Sequence, residues 1–304
     1  MATTEPALIA VVGPTASGKS ALALEFARAE GGEIVSCDSL QVYRGLDIGS
    51  AKPTRVERAL VAHHLIDVAD PDAEFSAAEY GRLARAAVRD IVARGRLPIV
   101  VGGTGLYLRA LLHGLFDGPS RDADYRRRLE GIAARHGRKR LHRLLRRADP
   151  QAAARIEPND LVRVVRALEV LRATRQPISA HHGPPADPLT GFRVGVFGID
   201  PGREELRGRI EARTDAMLAS GLVEEVRGLL ARYPEDLRPL RAIGYRQAVK
   251  LLRGELDAVA ARRDMVTETM QYAKRQRTWF RHQADVVWHA TAREARGAIE
   301  AWLR

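Results

Sequence analysis

Residues 13–20 read GPTASGKS, which spaces glycine, glycine-lysine and serine as a phosphate loop does, G-x-x-x-x-G-K-[ST]. Glycines at those positions let backbone N–H groups converge on phosphate oxygens at the start of a helix. Lys19 adds a positive charge, and the Ser20 hydroxyl is suited to a Mg²⁺ ion that bridges the phosphates. Gly13, Pro14, Thr15, Ala16, Ser17, Gly18, Lys19 and Ser20 are therefore expected to hold a polyphosphate, whose identity the spacing leaves open. Two more stretches carry chemistry. In DSLQVYRGLDIGSAKP, Asp38 follows an apolar run and could serve as a metal ligand or a general base. In GGTGLY (102–107), Gly102 and Gly103 permit close backbone approach and Thr104 offers a hydroxyl.

These residues require strands to place them. LIAVVG (8–13), EIVSC (33–37), a weaker HHLIDV (63–68), LPIVVGG (97–103) and FRVGVFGI (192–199) read as strands. They alternate with helices, one from Lys19 to about Glu30 and one beginning near Ser76. Such alternation predicts an α/β fold with a parallel sheet and functional loops at the strand C-termini. A helix in REELRGRIEARTDAMLASG would carry Arg207, Arg209 and Arg213, candidates to face back towards the phosphate loop. Between Gly118-Pro119 and the linker-like HHGPPADPLTG (181–191) the periodicity is helical throughout. The expected organisation is a phosphate-loop core, 1–118 and 191–304, with a helical insertion at 119–190.

The insertion is also where charge collects. The 304-residue chain has a formal net charge of +11, and residues 121–175 hold sixteen Lys/Arg against seven Asp/Glu, a local +9. A field of that sign and density attracts polyphosphate backbones. Arginine-rich solvated helix faces would give the same composition. No apolar run reaches membrane-spanning length, and MATTEPALIA lacks the pattern of a signal peptide. Cys37 is the only cysteine, so no internal disulfide can form and a reducing cytoplasm is the expected setting. The pairs His63-His64 and His181-His182 lack metal-ligand spacing.

Taken in order, GPTASGKS, DSLQVYRGLDIGSAKP, HHLIDVADP with FSAAEY, VGGTGLY, ARIEPND through RALEV (154–170), RAIGYRQ (241–247) and KRQRTWFR (274–281) resemble the tRNA dimethylallyltransferases over nearly the whole chain. The resemblance implies a core like that of the phosphate-loop kinases whose loop grips dimethylallyl diphosphate. It also implies that the prenyl group goes to the exocyclic amine of the adenosine 3′ of the anticodon. Lys19, Asp38 and Thr104 would then be catalytic, with Asp38 the general base. Arg209 and Arg213 would join the loop on the diphosphate, and Ser20 would ligate Mg²⁺. The tRNA-contacting set implied is Asp38, Ser39, Leu40, Gln41, Thr104, Arg126, Arg163, Arg166, Arg241, Gly244, Tyr245, Arg246, Lys274, Arg275, Gln276, Arg277, Trp279 and Arg281. Leu161-Val162 depart from the Pro-Gln expected before Arg163, so no contact is assigned to Val162. A monomer is expected.

Rival readings are a small-molecule kinase, a prenyltransferase acting on free AMP, and a nucleotide-gated RNA-binding protein. A kinase has no need of the basic insertion or of KRQRTWFR, and a binding protein has none for Asp38 and Thr104 beside the loop.

Overall fold

Six strands, β1 (Ala7–Val12), β2 (Glu33–Cys37), β3 (His63–His64), β4 (Pro98–Gly102), β5 (Arg193–Ile199) and β6 (Val287–His289), form one sheet in the order β3-β2-β4-β1-β5-β6. Every pairing is parallel. This computed structural model describes residues 5–115, 118–119, 122–181 and 187–304. Four of the five expected strands hold to within a residue or two at each end. The exception is HHLIDV, which stops at His64. Leu65 and Asp67 take left-handed backbone (φ 62° and 57°), which breaks the pleat. The chain then turns to the segment after β2, where Asp67 and Val68 N–H groups donate to the Gln41 and Val42 carbonyls.

β1 is buried along almost its full length, and its side chains alternate between two cores. Leu8, Ala10 and Val12 face a core with Tyr80, Ala84, Val88 and Ile91 of α3 (Ala77–Ala93). Ile9 and Val11 face Leu22, Ala23, Phe26 and Ala27 of α1 (Lys19–Glu30) and Ala295 and Ile299 of α13 (Ala292–Leu303). Ser76 caps α3 by accepting the Glu79 N–H, as its position before the apolar periodicity predicts. The remaining helices of this unit are α2 (Arg55–Leu60), α4 (Gly105–His113), α9 (Arg203–Ala219), α10 (Leu222–Leu230), α11 (Tyr245–Leu252) and α12 (Ala258–Gln283).

The sheet order decides where a ligand can sit. After β1 the chain crosses to β2 on one side, and after β4 it passes to β5 on the other. The crevice at the C-terminal ends of β1 and β4 is thus a topological switch point, the usual binding place in an open parallel sheet.

The chain divides into a unit ending at Leu112 and resuming at Leu189, and a unit of residues 113–188. Relative to the expected 119–190, Leu189 belongs with the sheet, its N–H donating to the Leu112 carbonyl. Residues 182–186 of the linker-like stretch, and Arg121 of the basic run, lie outside the described residues. The second unit is built from α5 (Ala123–His136), α6 (Arg138–Ala148), α7 (Pro150–Arg155) and α8 (Leu161–Thr174) around Leu129, Leu141, Leu145, Val164, Val165 and Leu168. Among the described residues no helix is long and apolar enough to cross a membrane.

One buried carboxylate organises the helical unit. Glu169, 1% exposed, accepts from Arg126 Nε at 2.8 Å and Nη2 at 2.9 Å, from Arg166 Nη1 at 2.7 Å, and from the Asp122 backbone N–H at 2.8 Å. These donors outweigh its burial and hold its carboxyl down to about 2. A depressed acid stabilises the fold above its unfolded pKa, and that contribution is lost as pH falls through the folded value. Glu169→Gln should therefore cost the helical unit about 2–3 kcal/mol at neutral pH. The penalty should shrink as pH drops from 4.5 towards 2. Hydrogen exchange of the amides in 122–174, in the full chain, reads both effects.

Candidate active site

The phosphate loop leaves β1 at Gly13 and enters α1 at Lys19. Gly13 is needed twice over: its φ is +144°, and a Cβ there would lie 2.4 Å from the Ile199 carbonyl oxygen. Gly18 is also left-handed (φ 94°), as is Ala16 (φ 63°). No side chain caps α1, so its first N–H groups open towards the loop's concave side. Lys19 Nζ donates to the Pro14 carbonyl at 3.1 Å, which curls the side chain back over the loop.

Arginines from α9 complete the cradle. Arg209 Nη1 donates to the Ser17 carbonyl at 2.9 Å and Arg213 Nη1 to Thr15 Oγ1 at 3.3 Å. They lie one turn apart on the face that meets the loop. Arg207 does not: it is half exposed and pairs with Glu211 at 3.7 Å, so its expected orientation is corrected. Burial and the charge of Arg213 push the Lys19 ammonium down to about 8, against a smaller upward pull from Asp38. Burial likewise lowers Arg213. Two desolvated cations thus share the field of one carboxylate, a charge balance that a bound polyanion would complete.

Asp38 sits just past β2. Its Oδ1 accepts the Leu40 N–H at 2.8 Å and the Gln41 N–H at 3.4 Å, a local turn that fixes the carboxylate. Among the described residues no hydrogen bond takes its Oδ2. Thr104, just past β4, accepts the Ser39 N–H on Oγ1 at 3.1 Å, while its own N–H donates to the Cys37 carbonyl. The two strand ends touch because Gly102 has no side chain: a Cβ there would lie 2.0 Å from the Cys37 carbonyl oxygen. Cys37 itself is buried and free, with burial pushing its thiol up to about 12.

Ser20 is exposed at the first turn of α1. Among the described residues no group of three or more His, Cys, Asp or Glu side chains is arranged to hold a metal. A hard cation here would take oxygen from Ser20 and from the ligand's own phosphates, which the loop geometry allows.

The expected RNA-contacting residues divide. Ser39, Leu40 and Gln41 lie beside Asp38, but the Gln41 amide is spent on Ser36 and on the carbonyls of Ser50 and Ala51. Tyr245 is fully buried and donates to Glu225 Oε1 at 2.8 Å; Glu225 also accepts the N–H groups of Asp47, Ile48 and Gly49. Tyr245 therefore holds the 47–49 turn, and a role as an RNA contact is corrected. Gly244 (φ 90°) starts α11, its N–H donating to Gln247 Oε1. Arg246 pairs with Glu268, and Arg241 is exposed. On α12, Lys274 and Arg275 are exposed, whereas Arg277 and Arg281 both pair with Asp200, at 2.9 and 3.0 Å. Trp279 packs on Gly105, where a Cβ would meet its ring at 2.0 Å, and on buried Phe280. Gln276 is buried too, bonded to Thr15 and Gly103. In the helical unit Arg126 and Arg166 both pair with Glu169. Arg163 is 71% exposed.

Sequence reading missed Tyr272. Its phenol lies against the Thr104 side chain and in the field of Asp38, and burial with that negative charge raises its pKa. Its signal was its place on α12, four residues before Gln276 and hence on the same face.

A loop that cradles phosphate at the switch point of a parallel sheet, flanked by desolvated cations and a carboxylate, defines a phosphate-loop transferase. Comparison narrows the class. The family pattern described as IPP transferase matches residues 41–283. The chain is 52% identical to a tRNA dimethylallyltransferase of Anaeromyxobacter dehalogenans (strain 2CP-C) over 93% of its own length and 94% of that protein's. It is 50% identical to one of Koribacter versatilis (strain Ellin345), covering 93% and 92%. Among solved structures it is similar to the full-length tRNA isopentenylpyrophosphate transferase of Bacillus halodurans, with TM-score 0.71 and 40% identity over 98% and 96% of the two chains. It is also similar to a eukaryotic dimethylallyltransferase acting on tRNA, with TM-score 0.75 and 27% identity over 94% and 74%. The chain belongs to the IPP transferase family.

The depressed Lys19 gives the site a pH signature. Below about pH 8 the ammonium is charged in the free protein; above it, an anion must draw a proton in as it binds. The Kd for inorganic diphosphate, measured by calorimetry, should rise up to about tenfold per pH unit above 8. Binding there should show proton uptake in buffers of different ionisation enthalpy. In Lys19→Arg, whose charge does not titrate in this range, only the part due to the last ionisation of diphosphate itself should remain.

Proposed function

We propose that the chain transfers the dimethylallyl group of dimethylallyl diphosphate to the exocyclic N6 amine of the adenosine 3′ of the anticodon in tRNA, releasing diphosphate. The observation that carries this reading is the juxtaposition of Asp38 and Thr104 with the Lys19–Arg213 cradle at one crevice, in a chain of this family. The bond from N6 to the prenyl carbon forms as the carbon–oxygen bond to diphosphate breaks. An adenine amine is a weak nucleophile because its lone pair is delocalised into the ring, so its proton must be taken as the bond forms. Asp38 Oδ2 is the acceptor we assign, with Oδ1 anchored by Leu40 and Gln41. The departing diphosphate gains charge, which Lys19, Arg213 and the loop N–H groups stabilise. Bound Mg²⁺, held by Ser20 and the diphosphate, would supply further charge neutralisation. The reacting base must leave its stack, which costs least in a single-stranded loop.

The helical unit supports the RNA half of this reading. Lys139, Arg140, Arg143, Arg146 and Arg147 of α6 are all exposed, while Leu141 and Leu145 on the opposite face are fully buried. Among the described residues none of these five pairs with a carboxylate. We assign this face to the phosphates of the anticodon arm. A monomer in the cytoplasm is the setting we propose.

The decisive experiment supplies unmodified tRNA, Mg²⁺ and either labelled dimethylallyl diphosphate or γ-labelled ATP. Label should enter tRNA only from the prenyl donor; transfer from ATP would establish the kinase reading. With the prenyl donor, Asp38→Asn should lower kcat by about two to four orders of magnitude with tRNA still bound. Replacing Lys139, Arg140 and Arg143 by Glu should weaken tRNA binding and reduce the log–log salt slope by roughly 0.7–0.9 for each phosphate no longer engaged. Unchanged affinity would mark α6 as a merely solvated face.

A further inference from the structure

We infer that Gln276 is a positioning residue that locks the donor and acceptor sides of the crevice into one geometry; the inference rests on the prenyl-transfer reading above. Its amide oxygen accepts the Thr15 N–H at 2.8 Å, and its amide nitrogen donates to the Gly103 carbonyl at 2.9 Å. Those partners belong to the loops after β1 and β4, the two strands that flank the switch point. Thr15 receives Arg213 on its hydroxyl, so the first bond reaches the phosphate cradle. Gly103 precedes Thr104, which takes the N–H next to Asp38, so the second reaches the side that handles the amine. A side-chain amide is neutral and carries both a donor and an acceptor, so it can satisfy both loops without adding charge beside Lys19 and Arg213.

The packing around Gln276 leaves it little freedom. The residue is 6% exposed, and a Cβ on Gly103 would lie 2.1 Å from its Nε2. Tyr272, one turn earlier, lies against Thr104, and Trp279, one turn later, fills the space over Gly105. A single face of α12 therefore grips residues 103, 104 and 105. Shifts of about 1 Å between reacting groups can cost on the order of a hundredfold in rate.

Gln276→Met keeps length and removes both bonds. Its single-turnover rate at saturating dimethylallyl diphosphate and tRNA should fall about 10–100-fold, with Kd for inorganic diphosphate and KM for tRNA within about threefold of the unsubstituted protein. Gln276→Glu tests the same idea in a second background. A protonated carboxyl offers one donor and one acceptor, whereas the ionised form can only accept and faces the Gly103 carbonyl. The charged and titratable groups tied to its two loops are Arg213, which donates to Thr15, and Tyr272, which lies against Thr104, with Lys19 and Asp38 in the same field. At about pH 8, where a glutamate is ionised, Gln276→Glu should therefore lose rate relative to unsubstituted protein, and the loss should ease as pH falls towards the carboxylate range. A near-normal turnover in Gln276→Met would overturn the inference; so would a raised KM for tRNA with kcat preserved, which would make Gln276 an RNA contact. If Gln276→Met does not fold, a normal rate in Gln276→Glu at about pH 8 overturns it alone. Absence of prenyl transfer by the unsubstituted protein would instead defeat the proposed function.

Discussion

Two cations drawn out of water beside one another, Lys19 and Arg213, set the electrostatics of the crevice. Lys19 and Arg213 repel, and desolvation penalises each of them. A fold selected only for stability would place an acid between them. Here the one carboxylate in the field, Asp38, has Oδ1 held in its own local turn and, among the described residues, forms no ion pair with either cation, so the deficit of negative charge persists. The penalty is tolerable because the groups that hold the two cations are a backbone carbonyl and a hydroxyl: Pro14 for Lys19 and Thr15 for Arg213. These partners solvate without neutralising. A ligand with several negative oxygens then recovers on binding what folding spent, and its charge need not compete with a resident carboxylate.

The second requirement is proximity, and it is met by leaving out side chains. Gly13 against the Ile199 carbonyl and Gly102 against the Cys37 carbonyl bring the ends of β1, β2, β4 and β5 closer than any Cβ would allow. Gly103 and Gly105 let Gln276 and Trp279 of α12 press onto the same loop. Asp38, Thr104 and the phosphate loop come from three different strand ends, and it is this series of close approaches that makes them one site. Substitution at these glycines would act by parting Asp38, Thr104 and the phosphate loop, with the strands themselves little changed.

Local chemistry was legible in the sequence, and long-range partnership was not. The phosphate loop, the five expected strands and the start of a helix near Ser76 follow from spacing and periodicity. The early end of HHLIDV depends on left-handed residues, Leu65 and Asp67, neither of which is a type that announces that conformation as glycine does. The short strand β6 is three residues long, and its pairing with β5 cannot be inferred from so brief a run. Motif membership marked Tyr245 and Gln276, and the family resemblance Arg126, as part of the functional apparatus. It could not say that Tyr245 faces Glu225, that Gln276 spans two loops, or that Arg126 reaches Glu169, because these partners lie 20, 261, 173 and 43 residues apart in the chain. Arg166 is only three residues from Glu169, but that spacing alone does not reveal that the acid is buried.

That last distinction changes how the basic character of the chain should be understood. An arginine count treats every guanidinium as available, yet the structure sorts them by what they face. Arg126 and Arg166 neutralise a buried acid and fix the helices of their unit; Arg277 and Arg281 do similar work on Asp200. Each pair of arginines shares a single carboxylate, so about half of its charge is balanced at short range and its field beyond is reduced. The cations of α6 have no such partner among the described residues, so their field extends into solvent, and counterions condensed on a nucleic-acid backbone are what such a field displaces most favourably. The excess of positive charge is therefore two populations with separate physical roles. Only the unpaired one can give the salt dependence by which an RNA-binding surface is recognised.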